Sequence, residues 1–238
     1  MIYTIATQKG GTGKTTTAAV LAQAAAHKGK KALAIDLDPQ GNLTYCLQAD
    51  ARAAGSYDLL HGTPAAEVIQ HSAQGVDVIS ASLDLQTEKS AAGSARRLKD
   101  ALEPVRRKYD FIVIDTPATA GELQYNALMA ADRLLVPLEA DAYNIQSLYQ
   151  IADAAEYIPQ LKIAGVILTK YDGRATLTKQ LQERLKETAA ALHIPFLGTV
   201  RKAVAMQEAA ALQASLYDYA PKSKPAADYM TIYEELTK

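Results

Sequence analysis

The chain has 238 residues, 49% of them apolar, and a net charge of −1. That is enough for one large domain or two small ones, with no overall electrostatic pull toward nucleic acid or a membrane. Its single cysteine, Cys46, excludes an intramolecular disulfide and an all-cysteine metal or iron–sulfur site within one chain, and is read as a core residue. No apolar run approaches transmembrane length and no signal-peptide pattern precedes the first apolar segment, so a cytoplasmic soluble protein is expected.

The first apolar run, residues 2–7, reads as a buried strand and leads into QKGGTGKTT, residues 8–16. A phosphate-binding loop asks for Gly, four residues, then Gly-Lys-Ser/Thr. Gly13, Lys14 and Thr15 match the end of that pattern. Its first Gly falls on Gln8; Gly10 and Gly11 sit together instead, behind an extra lysine, Lys9. A glycine cluster between a strand and a helix lets backbone N–H groups turn inward at a positive dipole end. Lys14 would reach the β- and γ-phosphates, Thr15 would help bind Mg²⁺, and Thr16 could meet the α-phosphate. The following helix is expected over 14–27, ended by Gly29.

A second strand, 31–36, runs into AIDLDPQGN. Alternation puts Asp36 and Asp38 on one side of an extended segment. There one carboxylate can hold a metal's water shell while the other orients attacking water, although Pro-x-Gly is also a plain turn signal. Residues 44–72 yield no clear element. A strand follows at 76–80, and AAGSARRLKDALEPVRRKYD is read as ending in a helix with a solvated basic face. The strand 111–115 is a buried apolar run ending in a carboxylate, Asp115. Strands at 133–138, 163–169 and 196–200 alternate with helices at 121–131, 145–157 and 177–192. Short, β-branched strands without polar alternation, separated by helices, predict an α/β fold: a doubly wound, mostly parallel sheet flanked by helices, forming one domain over 1–238.

The run Lys9-Gly10-Gly11-Thr12-Gly13-Lys14-Thr15-Thr16 resembles the deviant Walker A motif of the ParA/MinD group of P-loop ATPases, which includes nitrogenase iron proteins and arsenite-pump ATPases. Asp38-Pro39-Gln40-Gly41-Asn42 is similar to the Walker A′ segment of ParA/Soj partition ATPases. The likeness continues through LLVPLEADAYNIQSL, GVILTKYDGRATL and GTVRKAVAMQEA, and is weakest between 45 and 75. Two departures stand out. Pro117 is followed by Ala118 where the family usually has two prolines, and Lys170 replaces the usual Met of Thr-Met-Tyr/Phe-Asp-x-Arg. TKYD, residues 169–172, also resembles a guanine-recognition motif, which keeps GTP open beside ATP.

The resemblance implies a short partition ATPase without an N-terminal helix-turn-helix region, using ATP and Mg²⁺. Lys9 would cross to the partner's phosphates in a homodimer, and with Lys14 and Asp38 would carry catalysis, Asp38 positioning the water. Residues 9–16 would bind the nucleotide, with adenine near Lys170, Val200 and Arg201. Thr15, Asp36 and Asp115 would attend the metal. Arg201, Lys202, Lys222 and Lys224 would contact double-stranded DNA without reading its sequence, and a ParB-type partner would stimulate hydrolysis on the nucleoid. A different cargo, such as a mobile element or a protein assembly, is the alternative. A MinD-like membrane role is disfavoured, because Asp228, Glu234 and Glu235 in DYMTIYEELTK would be repelled by anionic lipid.

Overall fold

The computed structural model describes residues 1–88 and 94–238, so the beginning of the basic stretch before Arg96 lies partly outside the described residues. In chain order the elements are β1 Ile2–Ile5, α1 Lys14–His27, β2 Ala32–Asp36, α2 Asn42–Cys46, α3 Ser56–Leu60, α4 Ala65–Val68, β3 Ile69–His71 and β4 Asp77–Ile79. They continue as α5 Arg97–Leu102, β5 Phe111–Asp115, α6 Glu122–Ala130, β6 Arg133–Glu139, α7 Ala142–Glu156, β7 Lys162–Tyr171, α8 Thr176–Ala191, β8 Phe196–Arg201, α9 Val204–Ala211, α10 Leu216–Tyr219 and α11 Lys224–Leu236.

The strands form one sheet of order β3-β4-β2-β5-β1-β6-β7-β8, parallel throughout except for the antiparallel edge pair β3–β4. Every residue of β1, β2 and β5 is buried, as expected for strands covered on both faces. Alternation divides them. Tyr3 and Ile5 pack with Ala-rich α1 and with Tyr229 and Ile232 of α11, whereas Ile2, Ile112 and Ile114 pack with Leu123 and Ala127 of α6. Thr4, also on the α6 side, donates its hydroxyl to Ala127 O at 2.8 Å.

Local chemistry ends the helices. Gly29 sits at φ 71, and the N–H groups of Gly29 and Lys30 return to Ala26 O and Ala25 O, which closes α1 with two bonds that only a left-handed residue permits cheaply. Ser223 caps α11 by accepting from Ala226 N, with Pro225 in the first turn. The first strand is shorter than the expected 2–7: Ala6 N still reaches Leu135 O at 3.3 Å, but Ala6 and Thr7 lead without regular structure into the glycine loop. Residues 44–72 contain the short helices α2, α3 and α4, none long enough to show a period.

This topology fixes the site. The chain leaves β1 toward β2 on one side and later toward β6 on the other, so the crevice beyond the carboxyl ends of β1, β2 and β5 lies where strand order reverses. Asp36 and Asp115 are register partners there, and Asp115 is level with Ile5, the last residue before the glycine loop.

Candidate nucleotide site

The glycine loop joins β1 to α1. Gly11 and Gly13 have φ of 78° and 89°, left-handed values that any Cβ would strain. Lys14, the first residue of α1, folds back into the loop, is 7% exposed, and donates from Nζ to Lys9 O at 3.4 Å. Burial lowers its pKa, and the charges of Asp115 and Asp38 oppose that shift. Gly13 O accepts the Thr17 N–H at 2.8 Å, so α1 begins within the loop and its first N–H groups point into it. A cation, a helix start and a left-handed glycine turn thus converge on one concavity.

The carboxylates stand beside it. Asp115 is fully buried, and its pKa is raised well above the carboxylate range, first by burial and then by the charge of Asp36; Thr15 pulls it back down. Its Oδ2 has no hydrogen-bond partner among the described residues, and neither does the buried Thr12 Oγ1. An unmatched carboxylate oxygen beside the Thr15 hydroxyl suits a hard divalent cation such as Mg²⁺, which takes oxygen ligands and neutralises the buried charge.

Asp36 behaves differently from expectation. Its Oδ1 accepts from Asp38 N at 3.0 Å, and its Oδ2 accepts from both the Thr44 N–H and the Thr44 hydroxyl at 2.8 Å. Burial raises it to about 6, against the lowering effect of the Thr44 bonds. It therefore adds negative potential next to Asp115 while spending its oxygens on the 36–44 turn. Asp38, half-buried, accepts from Gln40 N through Oδ1 at 3.0 Å, and no described residue donates to its Oδ2. Thr44 was not readable in the sequence, where it falls in the stretch without clear elements.

The extra lysine points away from its own loop. Lys9 Nζ lies 2.6 Å from Asp141 Oδ2, and Asp141 also caps α7 by accepting the Tyr143 N–H. A second lysine is held by the same β6–α7 connection: Lys170 Nζ lies 2.7 Å from Glu139 Oε1 and 2.5 Å from Gly11 O. Neither Asp141 nor Glu139 was singled out from the sequence; the only signal was their place just after an apolar strand. A cleft of 480 Å³ between α3, α4 and α5 has none of these groups on its walls, so charge and loop geometry place the site rather than volume.

Residues 1–164 match the family described as an AAA domain. The chain is 34% identical over 238 residues to the chromosome-partitioning ATPase Soj of Thermus thermophilus, covering 98% of this chain and 93% of that protein. The chain belongs to the ParA/Soj family of partition ATPases. Among solved structures it is similar to a putative plasmid partition protein of Borrelia burgdorferi bound to AMPPNP, with a TM-score of 0.86, 26% identity and coverage of 98% and 97% of the two chains. It is also similar to cobyrinic acid a,c-diamide synthase of Mycobacterium smegmatis with bound ADP and magnesium, with a TM-score of 0.81, 28% identity and coverage of 98% and 92%.

For a ParA/Soj chain the remaining expected positions divide. Val200 is buried in β8. Arg201 is not a free surface cation: its Nε and NH2 meet Asp228 Oδ2 and Oδ1 at 2.9 and 2.5 Å, and its backbone N–H adds a third bond to the same carboxylate. Its expected contact with DNA would require this pair to open, as any use of Lys9 beyond Asp141 would. Lys202, Lys222 and Lys224 are exposed near that corner. Asp172, the acceptor in a guanine-reading motif, is paired with Arg174 at 2.9 and 2.8 Å on the exposed surface. Among the described residues no helix is long and apolar enough to cross a membrane.

Proposed function

We propose that this chain is an ATP-driven partition switch: it binds Mg²⁺·ATP in the glycine loop, closes face to face with a second copy, binds DNA non-specifically in that state, and is released by hydrolysis. Relatives holding AMPPNP, or ADP with magnesium, support the choice of nucleotide and metal. The observation that carries the reading is the division of labour between two lysines. Lys14 fills the chain's own loop, while the Lys9 side chain, 43% exposed, is held outside it by Asp141 and so remains available to a facing subunit.

The residues act as follows. Lys14 and the N–H groups at the start of α1 hold the β- and γ-phosphates. Asp115 and Thr15 would hold magnesium, which would supply charge neutralisation at the phosphates. Asp38 orients the attacking water and accepts its proton, with the Gln40 N–H fixing the carboxylate. Lys9 of each subunit leaves Asp141 and places its ammonium between two facing γ-phosphates. Like charges a few ångströms apart cost several kcal/mol even at an effective dielectric of about 20, so one cation per site decides whether the pair closes. At a developing phosphoryl charge the same cation acts as an arginine finger does, worth roughly 10³–10⁵ in rate elsewhere.

Lys202, Lys222 and Lys224 offer phosphate contacts that carry no sequence information. A DNA-bound ParB-type protein is the partner that stimulates hydrolysis, and the working place is the nucleoid in the cytoplasm. The test mixes two inactive variants. Lys9→Ala should bind ATP as a monomer and lack turnover; Asp38→Ala should bind ATP, dimerise and lack turnover, with kcat down on the order of 10²-fold or more. A mixed dimer contains one site with its own Asp38 and the partner's Lys9, so activity should return on mixing. Failure to recover at any ratio, with mixed dimers demonstrated, removes the role of Lys9 across the interface.

A further inference from the structure

The end of β7 touches the glycine loop twice, at neighbouring peptides. Thr169, 3% exposed, donates its hydroxyl to Thr12 O at 2.7 Å and lies 3.2 Å from Leu138 O. The next residue, Lys170, donates from Nζ to Gly11 O at 2.5 Å and is balanced by Glu139 at 2.7 Å. Lys170 has φ 52, a left-handed backbone that residues with a side chain adopt rarely and that persists where surrounding bonds enforce it.

We infer that Thr169 and Lys170 are positioning residues for the phosphate loop, holding the carbonyls of Gly11 and Thr12 outward and thereby aiming the Thr12 and Gly13 N–H groups at the nucleotide's phosphates. This rests on the reading of the loop as an ATP site. The argument is the planarity of the peptide: in a trans unit the C=O of one residue and the N–H of the next point in opposite directions. Among the described residues every peptide is trans, so anchoring Gly11 O on one side sends the Thr12 N–H to the other, and anchoring Thr12 O does the same for Gly13 N–H. Among the described residues neither N–H has an internal acceptor. Two successive amides turned the same way make an anion-binding concavity.

Close packing reinforces the arrangement, since a Cβ on Gly13 would lie 3.6 Å from Thr169 Cγ2 and the loop is seated against this residue. The ammonium of Lys170 is a charge-assisted donor, stronger than a neutral one, and Glu139 keeps it directed at the loop. With its ammonium already committed to Gly11 O, Lys170 acts on the phosphates through the backbone rather than on the base.

The experiment compares wild type with Lys170→Met, which keeps the stem and loses the donor, Lys170→Arg, which keeps a donor, and Thr169→Val, which keeps the shape. ATP, ADP and GTP affinities are measured by titration calorimetry, and kcat and KM by steady-state hydrolysis. Lys170→Met and Thr169→Val should each weaken ATP and ADP by about tenfold, equally for both, as loss of one aligned donor predicts. KM for ATP should rise with little change in kcat, because the amides bind ground state and transition state alike. The ATP:GTP ratio should stay constant, and Lys170→Arg should recover most of the loss. Affinities within twofold of wild type for Lys170→Met overturn the inference, as does a severalfold change in ATP:GTP ratio, which would make Lys170 a base contact. Wild type that binds none of the nucleotides overturns the ATP reading and this inference together, whereas normal wild type with unaffected variants overturns the inference alone.

Discussion

In the half of the sheet built from β1, β2 and β5, the charged groups Lys14, Asp36 and Asp115 are almost fully buried and face one another at strand ends. In the half built from β6, β7 and β8, the charged groups around the loop are largely exposed, and each is closed on an opposite charge: Lys9 on Asp141, Lys170 on Glu139, Arg174 on Asp172 and Arg201 on Asp228. The buried set has one cation against two carboxylates, so deleting Lys14 leaves desolvated negative charge uncompensated, which costs several kcal/mol. The exposed pairs are worth about 0–1 kcal/mol each and exchange partners easily. The first half suits chemistry that must be fixed in advance. The second suits contacts made and broken as phosphates or a second subunit arrive.

Removing Lys14 should break the first half most severely. Lys14→Ala should lower ATP affinity on the order of 10²–10³-fold, since the loop's buried cation makes charge-assisted bonds to phosphate. Calorimetry showing unchanged affinity would remove the phosphate-loop assignment. The carboxylates should show the opposite sign in the absence of ligand. Asp115→Asn replaces a buried charge with a neutral isostere. It should raise the stability of nucleotide-free, magnesium-free protein by about 1 kcal/mol or more at pH 8 while abolishing hydrolysis.

The pH dependence follows from the same pair. Burial raises Asp36 to about 6 and Asp115 well above its usual range, so the folded chain retains protons that the unfolded chain has released above roughly pH 4. The unfolding free energy therefore falls as pH rises from about 4 through the folded values, and thermal midpoints of ligand-free protein should be higher at pH 5 than at pH 8. Asp115→Asn should flatten that difference; a wild-type profile without it would mean that the pair is not buried as described.

The smallest effects should come from the exposed half, where they sharpen the contrast between matched and unmatched cations. Lys222→Glu together with Lys224→Glu should weaken ATP-dependent retention of duplex DNA by about tenfold on any sequence and reduce its salt dependence. Arg201→Ala should weaken retention less than this double variant, because it removes one positive charge where the other reverses two. A larger loss from Arg201→Ala than from the two lysines would reverse the assignment.

The buried half was legible in the sequence because its parts are contiguous. A strand, a glycine loop and a helix in one run gave β1, the loop and α1 with few errors, and Asp36 and Asp115 were recognisable as the last residues of apolar strands. The strands and helices of the exposed half were legible too, but its ion pairs were not, because their partners are distant along the chain. Lys9 and Asp141 are 132 residues apart, and Arg201 and Asp228 are 27 apart. The family likeness named Arg201 for DNA and Lys170 for adenine, and neither it nor the sequence disclosed that each is paired with a distant carboxylate. Thr44, which holds Asp36, falls in a stretch of helices too short to show a period, and β3 is a three-residue edge strand with two polar residues.

One buried bond bears on how a nucleotide could influence DNA at all. The hydroxyls of Thr17, in the first turn of α1, and Tyr229, in α11, lie 3.0 Å apart, and Tyr229 is among the largest fully buried side chains. The helix that begins at the phosphates is thereby bolted to the helix whose first turn carries Lys224. With Tyr229 packed in the same core as the alanines of α1, this joint ties the loop's helix and the basic corner to one another. In the dimer proposed above, nucleotide would then act on DNA affinity by counting corners. One subunit would offer a few weak phosphate contacts, and two held together would offer twice as many on a single duplex. The second set would engage at an effective concentration set by the dimer rather than by the solution, which is avidity without any change in the individual contacts.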